Sequence, residues 1–267
     1  MSQAQTMEKL SHMRLYGFVH ALDDQRESTS YNDLSFDERL AFLVDREYLR
    51  RENNRLTRRI SLAKLKQKGT LEDIDFSPKR NLDKSQFMEL AQCSWITSRH
   101  NLIITGPTGV GKTFVACALA DKACKAGFNA LYIKTSELVS QLVLAYAEGT
   151  FSSLLTKLTK THLLVLDEWL RDPLQHQIAR HILDVIDERY QYASTVFISQ
   201  VPVSDWHQQI QELTIADALL DRVIHDSYRI ELQGESQRKL RASSKTVSPH
   251  STQSSKITTE KFNTKNS

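Results

Sequence analysis

The period of apolar and polar positions along the chain changes near residue 100. Before it, apolar residues recur three and four positions apart, and beyond it short apolar runs alternate with helical patterns. The apolar runs predict β-strands at Leu102–Thr105, Ala130–Lys134, Leu163–Leu166, Thr195–Ser199 and Tyr228–Leu232. The patterns between them predict helices at Phe114–Lys125, Ser136–Ala147, Phe151–Lys160 and Ile178–Tyr190. This alternation is typical of an α/β fold in which helices cover both faces of a parallel sheet.

The residues before the sheet predict an all-helical N-terminal region. One helix is expected over Met7–Leu22, and a second begins at Ser35, where Ser35 and Glu38 fit a capping box. The second helix is expected to continue, with or without a break, to Lys68. Its mostly apolar stripe consists of Leu49, Asn53, Leu56, Ile60 and Ala63.

Composition changes twice more along the chain. Residues 69–98 contain a proline and predict a connector that includes a helix over Lys84–Trp95. From about Ser243 the chain is rich in serine and threonine and poor in large apolar residues, which is typical of disorder. We therefore expect four segments: a helical region over 1–68, a connector over 69–98, an α/β domain over 99–242 and a disordered tail over 243–267.

Composition favours an ordinary globular protein. With 267 residues, 40% hydrophobic and 25% charged, the chain is long and apolar enough to bury a core. No apolar run approaches the ~20 residues of a membrane helix, and the first residues lack the apolar segment of a secretory signal. The three cysteines, Cys93, Cys117 and Cys124, show no metal-type spacing and are too few and odd in number for a disulfide framework. We expect a cytoplasmic protein with no membrane partner.

A glycine-rich loop follows the first predicted strand and precedes a helix. The sequence GPTGVGKT, from Gly106 to Thr113, matches the phosphate-binding pattern G-x-x-x-x-G-K-[ST] in full. Its glycines let successive N–H groups surround an anion, and the helix N-terminus adds a positive dipole. Lys112 would contact the β- and γ-phosphates of ATP, and the Thr113 hydroxyl would ligate Mg²⁺. The candidate nucleotide-binding residues are Gly106, Pro107, Thr108, Gly109, Val110, Gly111, Lys112, Thr113 and Phe114.

Two acidic residues end the third predicted strand, in the sequence HLLVLDEW at 162–169. Asp167 would hold Mg²⁺, which prefers oxygen ligands and needs only one or two carboxylates. Glu168 would polarise a water molecule, which favours hydrolysis of ATP over transfer of its phosphate to another acceptor. Lys112, Asp167 and Glu168 together argue against a scaffold that binds nucleotide without turnover.

Polar residues near the last two strands are further catalytic candidates. Ser199 and Gln200 end the fourth strand, where either side chain could contact the γ-phosphate and the attacking water. Arg222 lies on a predicted helix after this strand, and Arg238 follows the fifth strand. Arginine stabilises charge that develops on the γ-phosphate, and Arg222 could do so in a neighbouring subunit. The alternative for Arg222 is a surface ion pair, for instance with Asp221 or Asp226.

The C-terminal half of the second predicted helix is strongly basic. Residues 45–68 carry nine Lys/Arg against three Asp/Glu. Planar guanidinium groups suit phosphate oxygens, so the arginine bias favours contacts with nucleic acid. The alternative is a charged helix face that meets only solvent. The candidate DNA-binding residues are Arg46, Arg50, Arg51, Arg55, Arg58 and Arg59.

Several stretches of the chain together resemble one protein family. They are ERLAFLVDREYLRRENNRLTRRI, LEDIDFS, GPTGVGKT, LLVLDEW, TIADALLDRVIH and YRIELQGES, and they span roughly residues 7–241. In these stretches the chain resembles the IstB-like ATPases, the AAA+ helper proteins of two-gene bacterial transposition systems. Many NTPases share the P-loop, whereas the N-terminal stretch and the DRVIH and GES region are more specific.

The resemblance implies an AAA+ P-loop core, a DNA-binding helical region, ATP-promoted homo-oligomers on duplex DNA and stimulation of a partner transposase. It also implies that Arg222 is an arginine finger acting in trans and that Arg238 is the sensor-2 residue. The chain departs from the pattern at Gln200, where AAA+ proteins often have asparagine, and at Leu170, where relatives often have glycine. The alternative is a replicative helicase loader of the DnaC type. The basic N-terminal helix favours the transposition helper, which would lie on the nucleoid when bound to DNA.

Overall fold

A five-stranded parallel sheet forms the centre of the computed structural model, which describes residues 3–237. The strands are β1 Asn101–Thr105, β2 Ala130–Lys134, β3 Leu163–Asp167, β4 Ser194–Ser199 and β5 Ser227–Glu231. Each lies within one residue of its predicted position, and their order in the sheet is β2-β3-β4-β1-β5. Every residue of β3 and β4 is buried, as expected for strands covered on both faces.

Helices cover the two faces of the sheet and build two hydrophobic cores. Their bounds are α1 Gln3–His12, α2 Tyr16–Glu27, α3 Phe36–Ala63, α4 Lys84–Leu90, α5 Ser94–Thr97, α6 Lys112–Lys125, α7 Thr135–Ala147, α8 Phe151–Thr159, α9 His176–Arg189 and α10 Leu213–Ile224. Leu102 and Ile104 of β1 pack in the core built with α3 to α6, whereas Ile103 packs in the core built with α7 to α10. The three cysteines are buried in the first core, where they serve as small apolar residues.

The single helix predicted over Met7–Leu22 is wrong, because the helix ends before Arg14. Arg14 has a φ of +59°, in the left-handed region. The N–H groups of Arg14 and Leu15 donate to carbonyls in the last turn of α1, each at 2.9 Å, which closes that helix before α2 begins. Glycine usually occupies such a position, so the arginine gave no sign of a helix end.

Helix α2 packs closely against α3 where Gly17 meets Glu47. A Cβ on Gly17 would lie 2.8 Å from the Glu47 Cα, so only glycine allows this approach. The buried Glu47 carboxylate accepts hydrogen bonds from the Gly17 N–H at 2.7 Å and from Arg50 at 2.7 Å. Hydrogen bonds from Arg50, and to a lesser extent from Arg51 and Gly17, lower the pKa of Glu47 to about 2 although burial opposes them.

The predicted capping box at the start of α3 is confirmed. The Glu38 N–H donates to Ser35 Oγ at 3.3 Å, and the Ser35 N–H donates to Glu38 Oε2 at 2.8 Å. The helix ends at Ala63, before the expected Lys68, because Lys64 adopts a left-handed φ of +50°.

Helix α3 extends from the N-terminal region into the first core beside the sheet. Leu56 and Ile60 pack against that core, and Ala63 is fully buried within it. Leu49 lies on the same predicted stripe but is 55% exposed, so only the C-terminal part of the stripe contacts the core.

Two further predictions concern the connector and the C-terminus. The helix predicted over Lys84–Trp95 is wrong: it is the two helices α4 and α5, separated at Cys93, whose φ is +63°. The expected disordered tail over 243–267, and residues 238–242 of the expected domain, lie outside the described residues. None of the helices between residues 3 and 237 is long and apolar enough to span a membrane.

Candidate active site

The candidate site lies at the edge of the sheet where the strands end. Because β1, β3 and β4 are neighbouring parallel strands, the residues that follow them meet at this edge. Gly106 follows β1, Asp167 ends β3, and Gln200 follows β4. The cleft at this edge is lined by P-loop residues together with Asp167, Glu168 and Gln200. The structure therefore brings together the residues that the separate motifs predicted.

The P-loop adopts a backbone that its glycines make possible. Gly106, Gly109 and Gly111 have φ values of +142°, +87° and +99°. A Cβ on Gly106 would lie 2.2 Å from the Leu232 carbonyl oxygen, so this position admits no side chain. Lys112 begins α6 and is 8% exposed, and its Nζ donates to the Gly106 carbonyl at 2.6 Å. A second hydrogen bond, to the Pro107 carbonyl at 2.8 Å, also holds the ammonium group against the loop.

Asp167 and Thr113 form an oxygen-rich group suited to a magnesium ion. Thr113 Oγ1 donates to Asp167 Oδ2 at 2.9 Å, and the Tyr132 hydroxyl donates to the same oxygen at 2.5 Å. Burial, and then the hydrogen bond to Asp167, raises the pKa of Tyr132 well above its ordinary value. Among the described residues no cluster of three His, Cys, Asp or Glu side chains could hold a metal alone. Mg²⁺ at this place would therefore rely on Thr113, Asp167, phosphate oxygens and water.

Two cations that the sequence reasoning missed hold the Glu168 carboxylate. Lys134 Nζ lies 3.0 Å from Glu168 Oε1, and Arg171 Nη1 lies 2.6 Å from Oε2. Lys134 ends β2, which pairs with β3, so the strand register places it opposite Asp167. The ion pair between Lys134 and Glu168 depends on the pairing of β2 with β3, which a local motif does not reveal.

Ser199 and Gln200 have different surroundings, although the sequence left both as candidates. Ser199 is fully buried, and its Oγ donates to the Trp169 carbonyl at 2.7 Å. Gln200 lines the cleft, and its Oε1 accepts a hydrogen bond from Thr108 Oγ1 at 2.5 Å. Gln200 is therefore the better placed of the two to contact a nucleotide.

Arg222 lies near the amino ends of the strands, at the opposite end of the sheet from the P-loop. The Arg222 carbonyl accepts a hydrogen bond from Asn101 Nδ2 at 3.2 Å, at the first residue of β1. Its guanidinium donates to Asp187 Oδ1 at 2.5 Å, so Arg222 makes the surface ion pair of the alternative interpretation, with an aspartate other than Asp221 and Asp226. Arg222 and Arg99 line a second cleft, separate from the one at the P-loop.

Arg238 lies outside the described residues, but the residue before it contacts the P-loop. The Gln237 N–H donates to the Gly109 carbonyl at 2.9 Å.

The six candidate DNA-binding arginines of α3 fall into two groups. Arg51, Arg55 and Arg58 are exposed and lie four and three residues apart, on one face of the helix with the exposed Tyr48. Arg51 and Arg55 make ion pairs within the helix. This group, with its aromatic neighbour, is open to a partner.

The other three candidates, Arg46, Arg50 and Arg59, differ in how far they are buried and in their contacts with the rest of the protein. Arg50 pairs with Glu47, donates to the Arg14 carbonyl at 3.0 Å and lies over the Tyr16 ring. Arg46 makes an exposed ion pair with Asp24, and Arg59 is partly buried. Arg50 is thus engaged in holding α3 against the preceding helices.

Sequence comparisons place the chain among proteins of insertion sequences. The family model described as IstB-like ATP binding protein matches residues 8–246. The chain is 39% identical over 234 residues to an insertion sequence ATP-binding protein of Sinorhizobium fredii, covering 88% of this chain and 96% of that relative. It is 44% identical over 200 residues to the IS1162 ATP-binding protein of Pseudomonas fluorescens, covering 74% of this chain and 87% of that relative.

Structural comparisons confirm the AAA+ P-loop fold of the core. The crystal structure of DnaI matches with a TM-score of 0.54 and 20% identity, covering 62% of this chain and 92% of that chain. AMPPCP-bound DnaA from Aquifex aeolicus matches with a TM-score of 0.55 and 17% identity, covering 68% of this chain and 55% of that chain.

Proposed function

Since the chain belongs to the IstB-like ATP-binding proteins, we propose that it is an ATPase that assembles on duplex DNA and stimulates a partner transposase. It would work in the bacterial cytoplasm and on the nucleoid while bound to DNA. The observation that carries the proposal is the position of α3. The exposed arginines lie on one face of this helix. Its residues Leu56, Ile60 and Ala63 pack against the core that contains α6.

The residues at the sheet edge support binding and hydrolysis of ATP. Lys112 and the P-loop N–H groups would bind the β- and γ-phosphates, and Thr113 and Asp167 would hold Mg²⁺. The ion would neutralise charge on the phosphate oxygens. Glu168 would orient the attacking water, and Gln200 would contact the γ-phosphate from the end of β4.

Contacts with DNA would come from the exposed face of α3. Arg51, Arg55 and Arg58 would neutralise phosphates of the duplex, which gives affinity without sequence preference. We assign the remaining arginines of α3, Arg50 above all, to the packing of the N-terminal helices rather than to DNA.

Assembly would complete the catalytic site between subunits. Arg222 lies at the end of the sheet where the strands begin, away from its own P-loop. In a head-to-tail ring or filament this end would meet the nucleotide of the next subunit, where Arg222 would act as the finger. Arg238 would act as the sensor-2 residue.

The test separates nucleotide binding from turnover in the full-length protein. Lys112→Ala should lose ATP binding and ATP-driven assembly on DNA. Glu168→Gln keeps the side-chain shape but loses the charge, so it should bind ATP and DNA, hydrolyse little and accumulate the assembled form. Calorimetry, phosphate release and mass photometry on a DNA duplex measure these three properties. Wild-type hydrolysis by Glu168→Gln would contradict its assignment.

A strand-transfer reaction with the transposase of the same element tests the final step. Wild-type protein and ATP should raise the yield, and Lys112→Ala should not. If the protein instead leaves transposition unchanged and binds a purified replicative helicase through its N-terminal region, it is a helicase loader of the DnaC type.

A further inference from the structure

Two carbonyls of the P-loop accept hydrogen bonds from donors in two distant parts of the chain. Arg80 Nη2 donates to the Val110 carbonyl at 2.7 Å, and the Gln237 N–H donates to the Gly109 carbonyl at 2.9 Å. Arg80 belongs to the connector before the sheet, whereas Gln237 follows β5. Two consecutive carbonyls at the tip of the loop are therefore fixed by groups that do not belong to the loop.

Arg80 is built into this position rather than resting on the surface. Its side chain is 5% exposed, and Nη1 donates to the Asp75 carbonyl at 2.9 Å. Its Nε is buried without a hydrogen-bond partner among the described residues, and burial lowers the pKa of the guanidinium. A Cβ on Gly111 would lie 2.7 Å from Arg80 Nη2, so a side chain there would displace the guanidinium. Burial costs the guanidinium its hydration, so we expect the hydrogen bonds of Arg80 to have a role that a surface cation could not perform.

The planar peptide links each of these carbonyl contacts to the N–H group that follows it. In a trans peptide the C=O and the following N–H point in opposite directions. A donor that fixes the Val110 carbonyl therefore directs the Gly111 N–H away from Arg80, and the donor on the Gly109 carbonyl does the same for the Val110 N–H. Gly111 and Lys112 line the cleft, as do Arg80 and Gln237, so the two donors border the same cavity as the N–H groups that they orient. Without these donors a peptide flanked by glycine can rotate at little cost.

We propose that Arg80 and the Gln237 N–H are positioning groups that hold these two peptides with their N–H groups ready for the β-phosphate. This inference rests on the nucleotide-binding part of the proposed function and not on DNA or the transposase. Because the groups act on the loop tip, their loss should weaken binding of the β-phosphate more than binding of the nucleoside or the α-phosphate.

The test measures the dissociation constants of ADP and AMP by calorimetry, since their ratio reports the contribution of the β-phosphate. Arg80→Met keeps the length of the side chain and removes its donors. It should weaken ADP binding roughly 10–100-fold, as expected for loss of a charge-assisted hydrogen bond, and weaken AMP binding far less. Lys79→Met removes the same charge from the exposed neighbouring residue and should leave the ratio unchanged.

Two further variants keep the inference testable if Arg80→Met does not fold. Arg80→Lys retains the charge with a single amine in place of the guanidinium fork, so the ratio should fall to an intermediate value. Gln237→Pro removes the backbone N–H and should lower the ratio roughly 2–10-fold. Equal losses for ADP and AMP in these variants, or an unchanged ratio, would overturn the inference while leaving nucleotide binding intact. A wild-type protein that does not prefer ADP to AMP would overturn the nucleotide site itself.

Discussion

Replacing Arg222 with alanine is expected to remove ATP hydrolysis without changing the affinity of a subunit for ATP. The side chain cannot reach its own P-loop. The Arg222 carbonyl bonds to Asn101 at the start of β1, and Gly106 follows the end of that strand. At about 3.3 Å per residue, five residues separate the two positions by ~16 Å, which is longer than an arginine side chain. Any catalytic effect of Arg222 must therefore act on another subunit.

The two interpretations of Arg222, an arginine finger and a surface ion pair, predict effects of very different size on hydrolysis. As an arginine finger it would contribute ~10³–10⁵ in the rate of hydrolysis. As a partner of Asp187 it forms an ion pair whose side chains are 29% and 55% exposed, and such pairs contribute only ~0.2–1 kcal/mol to stability. Asp187→Ala breaks the same ion pair and serves as the matched control. It should hydrolyse ATP at close to the wild-type rate, while Arg222→Ala should be nearly inactive.

Mixing two inactive variants tests whether the effect acts between subunits. Lys112→Ala cannot bind ATP productively but keeps Arg222, and Arg222→Ala keeps its P-loop. A mixture should recover part of the wild-type phosphate release, because an intact P-loop can meet an intact arginine across one interface. If mixed oligomers form, as shown by mass photometry with a size-tagged variant, and activity does not exceed the sum of the two residual rates, the trans assignment is refuted. Equal losses in Asp187→Ala and Arg222→Ala would also refute it, since only the ion pair would then matter.

Three further predictions concern the DNA surface, the loop after β3 and acid stability. Replacing Arg51, Arg55 and Arg58 with glutamine should weaken binding to unrelated duplexes and reduce the slope of log K against log salt by about 2–3, since each phosphate contact contributes about 0.9. The control variant has the same loss of charge at exposed lysines outside α3, namely Lys79, Lys157 and Lys160; an equal effect in both would refute the α3 surface. Leu170 is fully buried at a φ of +51°, so Leu170→Gly relieves about 1–2 kcal/mol of backbone strain but removes a side chain worth about 2–5 kcal/mol. Urea denaturation should show a net loss of stability, and a gain would show that strain outweighs packing. The pKa of Glu47 is lowered to about 2, so its contribution to stability is present above the unfolded value of about 4.5 and is lost as the pH falls from there to 2. Glu47→Gln should therefore flatten the acid limb of the stability curve, and an unchanged limb would contradict this.

Local sequence was sufficient to locate the strands and the main chemical groups. The strands are apolar runs bounded by polar residues, and their positions follow from burial on both faces of the sheet. The P-loop and the Asp167–Glu168 pair were found from residues that are neighbours in the chain. The start of α3 was also predictable, because Ser35 and Glu38 cap it by contacts only three residues apart.

Tertiary structure decided which distant groups meet. Helix α10 ends beside the first residue of β1, which places Arg222 away from the P-loop at the other end of that strand, and the pairing of β2 with β3 brings Lys134 to Glu168. Arg80 and Tyr132 come from segments without a recognised motif, yet they contact the loop and Asp167. The break at Arg14 was likewise hidden, because a residue other than glycine takes the left-handed conformation. These features depend on register and packing between segments far apart in the chain, where local composition and periodicity carry no information about which side chains will be neighbours.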